Sequence, residues 1–316
     1  MHRTLVAIVG ATATGKTAVG EEVARQLGGE VVCADARQLF RELELGTGKP
    51  TPSERAAQPH HLFEWLTLHD RATAGRWGRA AAAVCEACFA REVVPVLVGG
   101  SGLYLAALER GLHPEPGRDP AARAALEHEC DALGVEAMHA RLRERDPDAA
   151  TQLAPRDRQR VLRALEITSV SGHTLAWWRE RPRAAPLAAE WHAHEITCAP
   201  DVLAARIAQR TRAMWEQGLL EETRALVDAG LEPELRRLGA IGYDESIEHL
   251  HERMSLDDAE RRMAERTRQL AKRQRTWFRH QMTASPLAGD TEQAPRLAER
   301  IVNEFQRGRD NGGAQV

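Results

Sequence analysis

The chain has no uninterrupted run approaching the roughly 20 apolar residues of a membrane span, and its first apolar stretch, Leu5 to Val9, runs directly into glycine rather than a cleavage site. That argues against a membrane anchor and predicts a cytoplasmic protein. Cysteine is scarce and odd in number: Cys33, Cys85, Cys88, Cys130 and Cys198 are scattered, which excludes a disulfide framework and suits a reducing compartment. Cys85 and Cys88 form one C-x-x-C pair, but no second pair exists to complete a tetrahedral zinc site. In an alanine-rich helical run they read as core residues one turn apart. Internal repeats are missing, and low complexity is confined to the alanine-rich helices. An excess of one charge is also missing, since the net charge is −3. Any contact with a polyanion must therefore come from local clusters.

What is present is enough to bury a core, with 316 residues of which 43% are hydrophobic. Leu5 to Val9, Glu30 to Ala34 and Val93 to Val98 are short, β-rich and apolar on both faces, as strands of a helix-covered parallel sheet should be. Helical patterns over Thr17 to Leu27 and Gly75 to Arg91 separate them, which gives a doubly wound α/β core. A Pro/Gly/Asp cluster at residues 113–120 reads as a linker. From Pro120 to about Arg183 the pattern is helical, His194 to Cys198 returns to the sheet, and helices follow to about Gln281. The expectation is a P-loop NTPase-like parallel sheet over 1–117 and 193–282, with an all-helical domain inserted at 118–192. Residues 283–316 are expected to form a linker, one amphipathic helix around Arg296 to Phe305, and a disordered polar end.

Gly10 to Thr17 reads GATATGKT, which fits G-x-x-x-x-G-K-[ST] and lies between the first strand and the first helix. Backbone N–H groups of Gly10, Ala11, Thr12, Ala13, Thr14 and Gly15 can converge on phosphate oxygens at the positive end of the helix. Lys16 adds a point charge and Thr17 can ligate Mg²⁺. This loop alone is also a nucleotide- and ATP-binding signature, and it does not choose between a kinase, a triphosphatase and an enzyme whose substrate merely ends in diphosphate. Asp35 follows the second strand, so it belongs at the carboxyl edge of the sheet beside the loop, where open α/β sheets bind ligands. Ser101, after the strand ending at Val98, lies on the same edge. A P-loop ATPase commonly ends that strand with a metal-binding aspartate, and here Gly99-Gly100 stands instead. Arg268, Lys272, Arg275 and Arg279 follow helical spacing along one face, with Met263, Leu270 and Trp277 on another. Arg156, Arg160 and Arg163 suggest a second basic helix face, with Val161, Leu162 and Leu165 packing inward. Two basic surfaces suit a polyanion, which a small-molecule kinase does not need.

Over roughly residues 5 to 280 the chain resembles the tRNA dimethylallyltransferases, also called tRNA isopentenyltransferases. The resemblance rests on GATATGKT, ADARQ (Ala34 to Gln38), LGTGKP (Leu45 to Pro50), PHHL (Pro59 to Leu62) and VGGSGLY (Val98 to Tyr104). It continues in QRVLRALE (Gln159 to Glu166) with Ser171-Gly172, in AIGYDE (Ala240 to Glu245) and in RQLAKRQRTWFR (Arg268 to Arg279). It implies that the P-loop and Arg210 hold dimethylallyl diphosphate with Mg²⁺, and that Asp35 is the base toward the N6 amine of an adenine beside the anticodon. Ser101 would act near the reacting centre. The anticodon stem-loop of tRNA would meet Asp35, Ala36, Arg37, Gln38, Ser101, Arg123, Gln159, Arg160, Val161, Leu162, Arg163, Lys272 and Arg273. A monomer is the default expectation. An adenylate prenyltransferase and a small-molecule P-loop kinase are the alternatives.

The sequence departs from the common pattern at Ala11 (usually proline), Ala36 (serine), Gly48 (alanine), Glu64 (aspartate), Ser101 (threonine) and Arg156 (often asparagine). The Tyr-Ser stretch expected near Ala72 to Ala74 is missing. His60 and His61 lack acidic and cysteine partners in the sequence around them and read as structural or RNA-proximal.

Overall fold

In the structure, a computed structural model, residues 3–312 are described, with side chains to residue 308. The chain divides into two compact units, Met1–Glu109 with Leu187–Val316, and Arg110–Pro186. The first unit holds β1 (Thr4–Val9), α1 (Lys16–Leu27), β2 (Glu30–Cys33), α2 (Pro52–Ala57), β3 (His60–His61), α3 (Ala74–Ala90), β4 (Pro95–Gly99) and α4 (Gly102–Glu109). The second holds α5 (Pro120–Leu133), α6 (Val135–Arg145), α7 (Pro147–Gln152), α8 (Arg158–Ser171) and α9 (Leu175–Arg179). The chain then re-enters the first unit as β5 (Glu190–Thr197), α10 (Pro200–Glu216), α11 (Leu219–Asp228), α12 (Glu232–Leu238), α13 (Tyr243–Leu250), α14 (Leu256–Gln281), β6 (Ser285–Ala288) and α15 (Ala294–Gly312). No helix among the described residues is long and apolar enough to cross a membrane.

The first unit is built on a six-stranded sheet in the order β3-β2-β4-β1-β5-β6, with every pair parallel. β1, β2 and β4 are buried along their whole length because helices cover both faces. On one face α1 sends Val19, Val23 and Ala24 against Val6, Ile8, Val96 and Val98. Val98 lies so close to Gly20 that a Cβ there would overlap it. The register aligns Val9 with Gly99 and Cys33 with Val98, so the carboxyl ends of β1, β4 and β2 emerge side by side.

The boundaries of the helical unit differ from the expectation because the stretch around 112–118 pairs within it. Ala184 N–H donates to the Leu112 carbonyl at 2.9 Å, while Leu187 N–H donates to Leu108 at 2.9 Å and marks the return to the sheet unit. Asp119, whose side chain caps α5, opens the first helix. A core of Leu126, Cys130, Met138, Leu142, Val161, Leu162 and Leu165 holds this unit together.

The chain after Thr283 is a larger departure. Residues expected as a linker form β6, paired with β5 from His194–Ser285 to Thr197–Ala288. Pro286 hides this strand from a pattern search, yet proline is tolerated on an edge strand such as this one. α15 is longer than the expected helix and lays Leu297, Ala298, Ile301, Val302 and Phe305 into the α1 core. The last residues of the expected disordered end lie outside the described residues.

Since Phe305 is 1% exposed and packs edge-on against His192, Phe305→Ala should lower unfolding free energy by about 3–5 kcal/mol in a denaturant melt. A loss below about 1 kcal/mol would show that α15 is not part of this core.

Candidate functional site

The P-loop leaves β1 at Gly10, whose φ of 145° and closeness to the Ile196 carbonyl leave no room for a side chain. Gly15 caps α1 at φ 92°, and a left-handed residue at that point lets the next N–H groups face outward from the helix start. Ala13 also takes a positive φ of 64°, a strained conformation for a residue with a Cβ. Thr14 Oγ1 donates to the Ala11 carbonyl at 2.9 Å, and Lys16 Nζ reaches the same oxygen at 3.4 Å. Lys16 is buried, and burial pulls its pKa down to about 8 against the raising influence of Asp35, while Arg210 lowers it further. Thr17 is half-buried, and its hydroxyl has no hydrogen bond among the described residues.

Arg210 comes from α10 to the same place. Its guanidinium reaches Thr12 Oγ1 at 3.5 Å and the Thr47 carbonyl at 3.2 Å, and burial lowers its pKa. The loop carrying Thr47 must pass very close, and Gly48, in the left-handed region at φ 56°, makes that possible because a Cβ there would overlap the guanidinium. Arg206, one turn earlier on α10, braces the other side of the P-loop through the carbonyls of Thr14 at 3.4 Å and Gly289 at 3.0 Å.

Asp35 sits at the end of β2 with its Oδ1 accepting the Arg37 N–H at 2.9 Å. The carboxylate is thereby held, and its second oxygen carries no hydrogen bond among the described residues. Ser101 Oγ accepts the Ala36 N–H at 2.9 Å, and Ser101 N–H donates to the Ala34 carbonyl at 3.1 Å. Ser101 thus ties the Asp35 turn to the end of β4, and its hydroxyl proton is left to donate elsewhere. Gly99 stands where an acid is common because a Cβ there would overlap the Ala34 carbonyl. Gln38 is buried and spends its amide on the carbonyls of Thr47 and Gly48, at 3.2 and 3.1 Å. Burial lowers the pKa of the Arg37 guanidinium, with Asp35 and Asp244 opposing.

The cations of α14 share one surface. Arg268, Lys272, Arg275 and Arg279 line a groove of 320 Å³ with Leu203, Ala204 and Ile207 of α10. Arg273 is exposed outside that groove. Met263 is buried together with Ala264, Ala271 and Phe278, while Leu270 and Trp277 are half-buried.

In the helical unit the expected basic face does not form. Arg156 precedes α8 and pairs with Glu136 at 2.9 Å, Arg160 pairs with its helix cap Asp157 at 3.4 Å, and Arg163 turns toward Glu115 at 2.9 Å. The fold instead gathers Arg163, at 3.0 Å, and Arg123, at 4.0 Å, around the fully buried Glu166. Gln159 is exposed, whereas Val161 and Leu162 are wholly buried and shape this surface without lining it.

His61 corrects another expectation. Its Nε2 lies 2.7 Å from Glu30 Oε2, and Cys88 Sγ lies 3.4 Å from the same oxygen, so the fold supplies the acid and the thiol that the neighbouring sequence lacks. Arg91 engages both Glu30 oxygens at 2.6 and 2.8 Å and holds that carboxyl down to about 2. The carboxylate is therefore satisfied by a cation already present. This cluster starts β2 and lies at the opposite edge of the sheet from Asp35. All five cysteines are free and buried.

Several residues at the site escape a reading by residue type. Gln274 of α14 bridges Thr12 and Gly100. Glu222 accepts the N–H groups of Glu44 and Leu45 at 2.9 Å each and the Tyr243 hydroxyl at 2.5 Å, which anchors the LGTGKP loop. Glu64 closes the same loop from below by pairing with Lys49 at 3.3 Å and Arg55 at 2.7 Å. Gln274 lies within a motif and Glu64 just after one, Glu222 lies in none, and only the fold shows what each touches.

Residues 38–281 match the family described as IPP transferase, and residues 3–64 match isopentenyl transferase. The tRNA dimethylallyltransferase of Syntrophobacter fumaroxidans is 40% identical over 97% of this chain and 89% of its own length. That of Anaeromyxobacter sp. (strain K) is 42% identical, covering 94% and 97%. Among solved structures, the tRNA isopentenylpyrophosphate transferase of Bacillus halodurans is similar at a TM-score of 0.70 and 30% identity, covering 99% and 98%. A eukaryotic dimethylallyltransferase acting on tRNA is similar at 0.77 and 25%, covering 96% and 80%.

A Lys16 ammonium with a pKa near 8 is charged below that pH and neutral above it. Affinity for inorganic pyrophosphate should therefore fall as pH rises past 8, by up to about tenfold per unit. Calorimetric titration between pH 7 and 9.5 checks this against Lys16→Met, which should bind weakly at every pH. An affinity that rises over that range would contradict the role of the ammonium.

Proposed function

The chain belongs to the IPP transferase family and is a tRNA-prenylating enzyme, and we propose that its P-loop holds the diphosphate of dimethylallyl diphosphate while Asp35 takes a proton from the adenine it prenylates. The observation that carries this reading is the convergence of a carboxylate held at one oxygen with two buried cations, Lys16 of the phosphate loop and Arg210 of α10. The N6 lone pair of the adenine is delocalised into the ring, so the amine attacks weakly unless its proton leaves as the bond forms. As N6 bonds to the allylic carbon, the carbon–oxygen bond to diphosphate breaks, and the N6 proton passes to the Asp35 carboxylate. The negative charge that builds on the leaving diphosphate is met by P-loop N–H groups, Lys16 and Arg210.

Magnesium would add a further counter-charge on that diphosphate. A hard cation takes oxygen ligands, and the hydroxyl of Thr17, with no hydrogen bond among the described residues, is the ligand this chain would offer, the others coming from the substrate. Reaching Asp35 requires the base to leave its stack, which costs a few kcal/mol from a single-stranded loop. The α14 groove, with Lys272, and Arg273 beside it, supplies a cationic surface to hold the RNA backbone. Ala36, Arg37 and Ser101 border Asp35, where the flipped base would sit. This division of labour does not need a partner subunit, and a monomer in the cytoplasm suits it.

Incubated with dimethylallyl diphosphate, Mg²⁺ and an anticodon stem-loop, the protein should add one prenyl group to the RNA, read by mass spectrometry. AMP should be a poor acceptor and ATP should yield no phosphorylated product. Asp35→Asn should lower kcat by about 10²–10⁴-fold with RNA affinity within about twofold. Equal turnover in Asp35→Asn would remove the base assignment.

A further inference from the structure

Asp35, Lys16 and Arg210 account for charge at the site, but not for how the donor loop and the acceptor-side loop keep their spacing. The peptide group between Ala11 and Thr12 is gripped from both sides. Its carbonyl receives Thr14 Oγ1 at 2.9 Å and Lys16 Nζ at 3.4 Å, and its N–H donates to Gln274 Oε1 at 2.9 Å. The other end of the same amide, Nε2, donates to the Gly100 carbonyl at 3.0 Å. One planar group from α14 therefore spans the P-loop and the turn that carries Ser101.

The packing around it is tight. A Cβ on Gly100 would overlap Gln274 Nε2, and a Cβ on Gly102 would overlap the Trp277 ring that follows one turn later on α14. Gln274 thus fills the space beside Gly100 that a side chain at this strand end would need. Its two partners are chemically opposite: Thr12 N–H can only donate and the Gly100 carbonyl can only accept. Glutamine meets both with one side chain, an ionised glutamate offers two acceptors, and leucine offers nothing.

We propose that Gln274 is a positioning residue whose amide sets the distance between the diphosphate-gripping loop and Asp35, acting through Gly100, Ser101 and the Ser101–Ala36 hydrogen bond. This rests on the reading given above for Asp35 and the P-loop. Its neighbours Lys272, Arg273 and Arg275 lie on the cationic part of the same helix, so the element that meets the RNA also fixes the geometry of the donor loop. Misplacement of reacting groups by about 1 Å costs on the order of 10²-fold in rate, which is the leverage such a clasp has.

Two variants and two readouts test it. Gln274→Leu should weaken inorganic pyrophosphate binding, measured calorimetrically with Mg²⁺, by about tenfold, and lower kcat, while affinity for the anticodon stem-loop stays within about twofold. Gln274→Glu keeps the acceptor for Thr12 but loses the donor to Gly100 when ionised, and regains it when protonated. Its kcat/KM for the donor, divided by that of the unsubstituted protein at each pH, should rise at least about fivefold from pH 8 to 5.5. A residue that merely packs would give a flat ratio. Pyrophosphate binding by Gln274→Leu equal to the unsubstituted protein, or a pH-independent ratio for Gln274→Glu, would overturn the proposal. Should Gln274→Leu weaken pyrophosphate binding while the unsubstituted protein prenylates no RNA, the clasp stands and the wider reading of the site fails.

Discussion

Three strand ends meet with almost nothing between them. Gly99 presses against the Ala34 carbonyl, Ser101 bonds to both Ala34 and Ala36, and the P-loop starts from Gly10 against Ile196. No side chain fits at the end of β4, so an acid cannot stand where a P-loop ATPase commonly carries one. The acid comes instead from the end of β2, one strand further out. On the proposed reading, an acid placed there acts toward the carbon attached to the diphosphate, and the diphosphate stays intact.

The surrounding electrostatics follow from the same crowding. Lys16 and Arg210 are buried beside each other, and burial lowers the pKa of both, so the cradle is costly when empty and gains from an anion. Asp35 offsets part of that cost. Its carboxylate is held at one oxygen by the Arg37 N–H, which orients the other without consuming it. The LGTGKP loop closes the cradle through Gly48, and it in turn is fixed by Glu222, Tyr243 and Gln38. Motifs far apart in the chain are therefore one mechanical unit around the P-loop.

Much of this could be read from sequence because the signals are local. β1, β2 and β4 are apolar on both faces, the P-loop has its glycines at fixed spacing, and Asp35 follows its strand directly. What could not be read depends on contacts between distant segments. β6 hides behind Pro286 because a strand at the sheet edge tolerates a residue that a central strand would not. Arg156, Arg160 and Arg163 look like one basic face by spacing alone, but acids from other segments claim Arg156 and Arg163, and Arg156 lies before the helix starts. Glu30 and Cys88 reach His61 only because β2, β3 and α3 converge. Gln274 looks like one more polar residue on a charged helix until its two loop partners are in place.

The central claim is that the phosphate loop grips a leaving diphosphate and does not cleave it. Phosphorus NMR of a reaction containing the protein, dimethylallyl diphosphate, Mg²⁺ and an anticodon stem-loop tests it most directly. The account predicts intact inorganic pyrophosphate appearing in step with prenylated RNA, with no orthophosphate and no requirement for ATP. Orthophosphate as the primary product, or prenyl transfer that depends on ATP cleavage, would contradict it.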